Sequence, residues 1–118
     1  MSTGMIVLTV LNGVVSLITI GFGVAAALRP SAFTHEADPT AGERFYARMY
    51  AARAVPLGLL AGLVPFFPHG ALSALALAAA AIAQAADVGI GAQRRDAQLI
   101  PGAAFGCVVY VITAIAVL

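Results

Sequence analysis

The residues best able to do chemistry are a few charged and polar side chains inside otherwise apolar stretches. Arg53 follows a stretch that contains Tyr46 and Tyr50, and Asp87 comes near the end of an alanine-rich run that contains Gln84. Removing an ionised side chain from water is unfavourable unless a partner compensates its charge. Residues of these types therefore indicate an ion pair, a polar ligand pocket or acid–base chemistry.

The spacing of these residues predicts that they lie together. A helix would place Glu43, Tyr46, Tyr50 and Arg53 on one face, because each follows the last by three or four residues. Gln84 and Asp87, three positions apart in a later segment, would likewise share a helical face. The predicted pocket consists of Glu43, Tyr46, Tyr50, Arg53, Gln84 and Asp87.

Other chemical signatures are missing from the sequence. It contains no GxSxG, P-loop, HExxH or CxxC motif. Two distant histidines, His35 and His69, and a single cysteine do not give a metal-ligand spacing. No basic patch interleaved with aromatics suggests nucleic acid. We therefore expect no metal, no cofactor and no nucleic-acid partner, and we interpret Cys107 as a small packing residue.

The composition defines the solvent in which these residues must be positioned. The chain has 118 residues, of which 62% are hydrophobic and 9% charged, and its mean hydropathy is +1.01. Soluble domains average about 45–50% apolar and about 25% charged residues. So short a chain cannot bury this much apolar surface in its own core. Lipid must therefore solvate much of it.

Four apolar segments divide the sequence, with approximate spans 5–28, 45–67, 71–90 and 99–118. Each is close to the ~20 residues that a helix needs to cross the hydrocarbon core. Helix is expected because a bilayer offers no hydrogen-bond partner to an open strand edge. The sequence thus predicts one all-α domain over residues 1–118, an antiparallel bundle of four transmembrane helices.

The arginines predict the orientation of this bundle. All six lie in or near the loops 29–44 and 91–98, whereas the termini and the turn at 65–70 contain none. Short loops rich in Lys and Arg face the cytoplasm. We therefore expect a multi-pass protein of the cell membrane with both of these loops cytoplasmic and both termini outside.

The predicted depths of Arg53 and Asp87 in the membrane are similar. Counted from the outer ends of their helices, Arg53 lies ~21 Å deep and Asp87 ~25 Å deep. Similar depths on adjacent antiparallel helices predict an Arg53–Asp87 ion pair. Pro56 is expected to bend its helix near Arg53, because proline lacks the N–H that a helix interior requires.

Two further patterns predict helix packing. Asn12, Ser16 and Thr19 share one face of the first helix and are expected to hydrogen-bond to other helices. Gly102 and Gly106 form a GxxxG spacing in the fourth helix. This spacing indicates close packing, either inside the bundle or between two copies of the chain, and a homo-oligomer through Gly102 and Gly106 is therefore possible.

Three stretches resemble the DoxX-like group of small bacterial four-helix membrane proteins, especially members described as domains of unknown function. The stretches are Leu28-Arg-Pro-Ser-Ala-Phe, Tyr46-Ala-Arg-Met-Tyr-Ala-Ala-Arg-Ala-Val-Pro-Leu-Gly-Leu and Ala85-Ala-Asp-Val-Gly-Ile-Gly. Ala54 stands where such families often carry an acid directly after the second arginine, which leaves Asp87 as the expected partner. The resemblance implies the fold and a membrane location and brings no established reaction.

Three functions stay open at this point. The first is binding of membrane lipid, an apolar small molecule or a partner membrane subunit through the cytoplasmic-side pocket. The second is an intramembrane enzyme, such as an isomerase, a cyclase or an oxidoreductase subunit, with Asp87 or Glu43 as acid or base. The third is a small-molecule transporter, against which the weakly polar outer half counts.

Overall fold

A computed structural model describes residues 2–31, 38–94 and 99–118, and four long helices account for most of them. The helices are α1 (Thr3–Leu28), α2 (Ala41–Leu63), α3 (Ala71–Arg94) and α4 (Leu99–Val117), with a short 3₁₀ turn (Val64–Phe66) after α2. No strand occurs among the described residues. The predicted all-α bundle of four helices is confirmed.

The outside of this bundle is apolar. Leu17, Leu72 and Ile115 are 70%, 81% and 70% exposed, and many other large apolar side chains also point outward. All four helices are long and apolar enough to cross a membrane. Exposure of so much apolar surface to water is unfavourable, whereas contact of the same surface with hydrocarbon is favourable. The chain is therefore a multi-pass membrane protein whose outer face contacts lipid.

Two helices extend beyond the apolar spans on the side of the arginine-rich loops. α2 begins at Ala41 because Thr40 and Glu43 form a capping box: Thr40 Oγ1 accepts from the Glu43 N–H at 3.1 Å, and Glu43 Oε1 accepts from the Thr40 N–H at 3.0 Å. α3 continues past the apolar span to Arg94. Hydropathy marks where lipid ends, but the backbone hydrogen bonds continue into the polar interface.

The helices pack as two hairpins. α1 lies closely against α2, and α3 lies closely against α4. The hairpins meet mainly where α1 touches α4, and the packing between α2 and α3 is sparse although they follow one another in the chain. We call this boundary the α2–α3 seam. Among the pairs of helices that follow one another in the described chain, this pair has the sparsest contact.

Gly58 brings α2 against α1. A Cβ atom built at this position would lie 2.7 Å from Ile20 Cγ1 and 3.3 Å from the Ser16 carbonyl oxygen. Such distances are too short for a side chain, so the two backbones approach as closely as they do because residue 58 is glycine. Small residues serve this purpose in membrane helices generally.

A second contact between α1 and α2 comes from a buried amide. Asn12 is fully buried, and its Nδ2 donates a hydrogen bond to the Ala61 carbonyl oxygen at 2.7 Å. The residue four positions after Ala61 is Pro65, which has no N–H to offer that carbonyl. Asn12 therefore supplies the donor that the helix lacks, as predicted for the polar face of α1.

Two apolar clusters fill the interior. One occupies the half of the bundle that contains the termini, and its buried members are Val15, Ala61, Val64, Leu77, Ala80, Ala81, Val109, Tyr110 and Val117. The other lies toward the arginine-rich loops and consists of Ala26, Ala47, Tyr50 and Ala54.

Candidate functional site

The predicted ion pair is present across the α2–α3 seam. Arg53 Nη2 on α2 donates to Asp87 Oδ1 on α3. The Asp87 side chain is 8% exposed, whereas that of Arg53 is 35% exposed. The Asp87 carboxylate is thus enclosed by the bundle, while part of the Arg53 side chain reaches its surface. Together the two groups give the site no net charge.

A small cavity adjoins this pair. Its walls combine polar groups with small residues and one leucine, and its lining is Thr19, Arg53, Ala54, Leu57, Gly58, Ala80, Ala83, Gln84, Asp87 and Tyr110. The volume open to the centre of a water molecule is about 10 Å³. One water molecule requires about this much space and two or more polar partners. The cavity therefore fits a water and excludes an enclosed organic ligand.

Gln84 connects the cavity to α1. Its Nε2 donates to Thr19 Oγ1 at 3.2 Å, and the Thr19 hydroxyl donates to the Val15 carbonyl oxygen at 2.9 Å. Gly106 on α4 makes room for the amide, since a Cβ there would lie 3.0 Å from Gln84 Nε2. The amide is thus held by one helix and accommodated by another.

A pair of hydroxyl groups includes that of Tyr110, which lines the cavity. Ser16 Oγ on α1 and the Tyr110 hydroxyl on α4 lie 2.9 Å apart, and both residues are buried. Each hydroxyl can donate to the other. Tyr110 is four residues after Gly106 and therefore lies on the same side of α4. The pocket predicted from the sequence included neither Tyr110 nor Thr19 on α1.

Two tyrosines of the predicted pocket contact arginines instead of the cavity. The Arg53 guanidinium carbon lies 5.9 Å from the centre of the buried Tyr50 ring. One turn closer to the loops, the Arg94 guanidinium carbon lies 4.3 Å from the centre of the Tyr46 ring. Both are cation–π distances. Tyr46 and Tyr50 therefore help to hold the arginine side chains of the seam.

Glu43 lies apart from the cavity. Its carboxylate belongs to the capping box at the start of α2, and the residue does not line the cavity. Of the six predicted pocket residues, Arg53, Gln84 and Asp87 line it. Within the part of the chain that the structure describes, one carboxylate lines the cavity, that of Asp87.

The two glycines of the GxxxG spacing have different surroundings. Gly106 is buried against Gln84 and Val15, and Gly102 is exposed with open space around it. The close packing predicted at Gly106 thus occurs inside the bundle. Only Gly102 of the pair faces outward, where a second copy of the chain could approach.

The remaining described arginines, Arg29, Arg44, Arg48 and Arg94, are exposed near the loops. His35, and Arg95 of the second arginine-rich loop, lie outside the described residues. Within residues 2–31, 38–94 and 99–118, no three His, Cys, Asp or Glu side chains come close enough to hold a metal ion.

Fold and site together define a class: a four-helix multi-pass membrane protein with a buried ion pair beside a water-sized polar cavity. No family model, curated protein or solved structure matches the chain. The function must therefore be argued from the site.

Proposed function

We propose that this protein binds a membrane lipid at the α2–α3 seam, with the polar headgroup at Arg53. The observation that carries the proposal is the position of the ion pair. It lies at the most sparsely packed boundary between neighbouring helices, and it leaves a third of the arginine side chain exposed. A charged residue within a membrane span is energetically costly, and such residues are therefore functional candidates.

The size of the cavity supports a ligand on the seam over a ligand inside the bundle. The internal space suffices for about one water molecule. The exposed side of Arg53 belongs to a stripe along α2, because Met49, Pro56 and Leu60 lie on the same face and are also exposed. A headgroup at Arg53 would leave an acyl chain free to lie on this apolar stripe.

The exposed arginines support binding in the cytoplasmic leaflet. Arg29, Arg44 and Arg48 surround the loop-side end of the bundle, and such residues favour the cytoplasmic face. A cell-membrane protein with both termini outside remains part of this proposal. The resemblance to DoxX-like bacterial proteins also stays a prediction, and a partner subunit would compete with lipid for the seam.

Native mass spectrometry after purification in a mild detergent tests the proposal. The wild-type protein should retain a lipid, and the double variant R53Q/D87N, which keeps a neutral pair of similar size, should lose it. R48Q is the matched control because Arg48 is an exposed arginine of the same helix. Equal lipid retention in all three proteins would reject the seam as the binding site.

A second candidate, an intramembrane acid–base enzyme, is favoured by one observation. The enclosed Asp87 carboxylate lines a cavity that fits a water molecule, an arrangement in which a carboxyl group can move a proton. D87N separates the two functions. It should abolish an enzymatic turnover that depends on Asp87, whereas it should leave a lipid site at Arg53 intact.

A further inference from the structure

Resting on the proposed lipid site, we propose that the bound headgroup is anionic and that it displaces the Asp87 carboxylate from Arg53 while Asp87 takes up one proton from water. Before binding, Arg53 and Asp87 neutralise each other. After binding, the anion neutralises Arg53, and Asp87 is a neutral carboxylic acid. The net charge of Arg53, Asp87 and the bound headgroup together therefore remains zero.

The hydrogen bonding of Arg53 carries the first step. A guanidinium has five N–H donors, and among the described residues Arg53 donates a hydrogen bond to Asp87. The Tyr50 ring lies 5.9 Å from the guanidinium carbon, and about a third of the Arg53 side chain is exposed. Arginine offers donors in a fork that matches the oxygens of a phosphate or a carboxylate. A partly exposed guanidinium therefore suits an anion.

The charges around Asp87 carry the second step. Arg53 and Tyr50 face it from α2 and Tyr110 lies across the cavity on α4, whereas α1 contributes the non-ionising Thr19. Arg94 lies over the Tyr46 ring at the loop-side end of the seam. An anion at Arg53 would make two negative charges share one partly exposed cation. Repulsion between like charges disfavours both being ionised.

The cavity carries the third step. A protonated Asp87 needs an acceptor for its new O–H, because an unpaired buried donor is unfavourable. The adjoining space fits one water molecule, and Gln84 and Tyr110, whose side chains carry oxygen atoms, line it. The neutral acid therefore has a place in the same site, and the anion does not have to compete with a carboxylate for Arg53.

Proton uptake makes lipid binding depend on pH in a defined direction. When binding consumes one proton, affinity weakens by up to tenfold for each unit by which pH rises. The exposed arginines add a background of selectivity for anionic lipid that does not depend on the exchange at Asp87.

Electron paramagnetic resonance of spin-labelled lipids measures this directly in phosphatidylcholine vesicles that contain the full-length protein. The probes are phosphatidylglycerol, whose phosphodiester stays anionic, and zwitterionic phosphatidylcholine. Selectivity for phosphatidylglycerol in the wild type should fall as pH rises between about 5 and 9. D87N should show high selectivity at every pH, and R53Q/D87N should keep only the background from the exposed arginines.

A histidine control and a neutral-pair variant separate the outcomes. H35Q/H69Q removes both histidines of the chain and should retain the wild-type slope, because the exchange assigns the proton to Asp87. A pH-independent wild type, or a D87N protein that keeps the slope, overturns the exchange but leaves the seam as a lipid site. If wild type and R53Q/D87N show the same lipid selectivity at every pH, the proposed function fails as well.

Discussion

At the scale of single residues, the ion pair contributes unequally to stability through its two members. Asp87 is enclosed and Arg53 is partly exposed. Removing Arg53 leaves an enclosed carboxylate without its counter-charge, whereas removing Asp87 leaves a long side chain that can reach toward the interface. The arginine is therefore the more important partner for the fold.

We expect R53A to destabilise the detergent-solubilised protein by about 3 kcal/mol and D87A by about 1 kcal/mol. The double variant R53A/D87A should recover part of the loss, because no buried charge is then left unpaired. Thermal unfolding of the four proteins gives this double-mutant cycle. Losses that simply add would show that the two side chains act independently.

The bond from Asn12 to the Ala61 carbonyl leads to a second prediction. Replacing Asn12 with leucine should cost about 1–3 kcal/mol, because the carbonyl is left without a donor. In a P65A background the helix regains the N–H of residue 65, so the same replacement should cost less. Unfolding temperatures of N12L, P65A and N12L/P65A provide the comparison. Equal effects of N12L in both backgrounds would contradict this explanation.

At the scale of helices, the close approach of α1 and α2 is the feature most sensitive to added volume. G58A should destabilise the protein by about 1–3 kcal/mol, because the new methyl group would overlap Ile20. G89A is the matched control, since Gly89 is a helical glycine with open space around it. It should be neutral or stabilising. Similar unfolding temperatures for the two variants would refute close packing at Gly58.

The helices and the ion pair could be predicted from the sequence because each depends on a distance along one helix. Apolar length gave the spans, and the rise per residue placed Arg53 and Asp87 at similar depths. The cap at Thr40 makes α2 begin at Ala41, before the predicted apolar span, because capping depends on local hydrogen bonds and not on hydropathy. α2 runs through Pro56 as one continuous helix, and the bend there stays a prediction.

The rest of the site depends on how the helices are rotated about their axes, which their own sequences do not determine. Thr19 and Tyr110 line the cavity because α1 and α4 turn these residues toward α3. Glu43 shares a helical face with Arg53, but it lies about fifteen ångströms further along the axis, in the polar interface. A shared face therefore does not establish a shared pocket.

At the scale of the whole molecule, the asymmetric distribution of arginine predicts orientation. A reporter that is active only in the cytoplasm should stay silent when it is fused after Leu118. The same reporter inserted after Pro39, in the first arginine-rich loop, should be active and serves as the control. The physical reason is the retention of short arginine-rich loops in the cytoplasm. Strong activity after Leu118 would reverse the proposed topology.

The separation of the ion pair along the chain also affects how the protein is made. Arg53 and Asp87 are 34 positions apart, so at ~5–20 residues per second a ribosome completes the second roughly 2–7 seconds after the first. α2 has a mean hydropathy of 1.4, the lowest of the four spans, compared with 2.2 for α1. We therefore expect nascent α2 to remain beside the insertion machinery, and to settle in the lipid once α3 delivers its counter-charge.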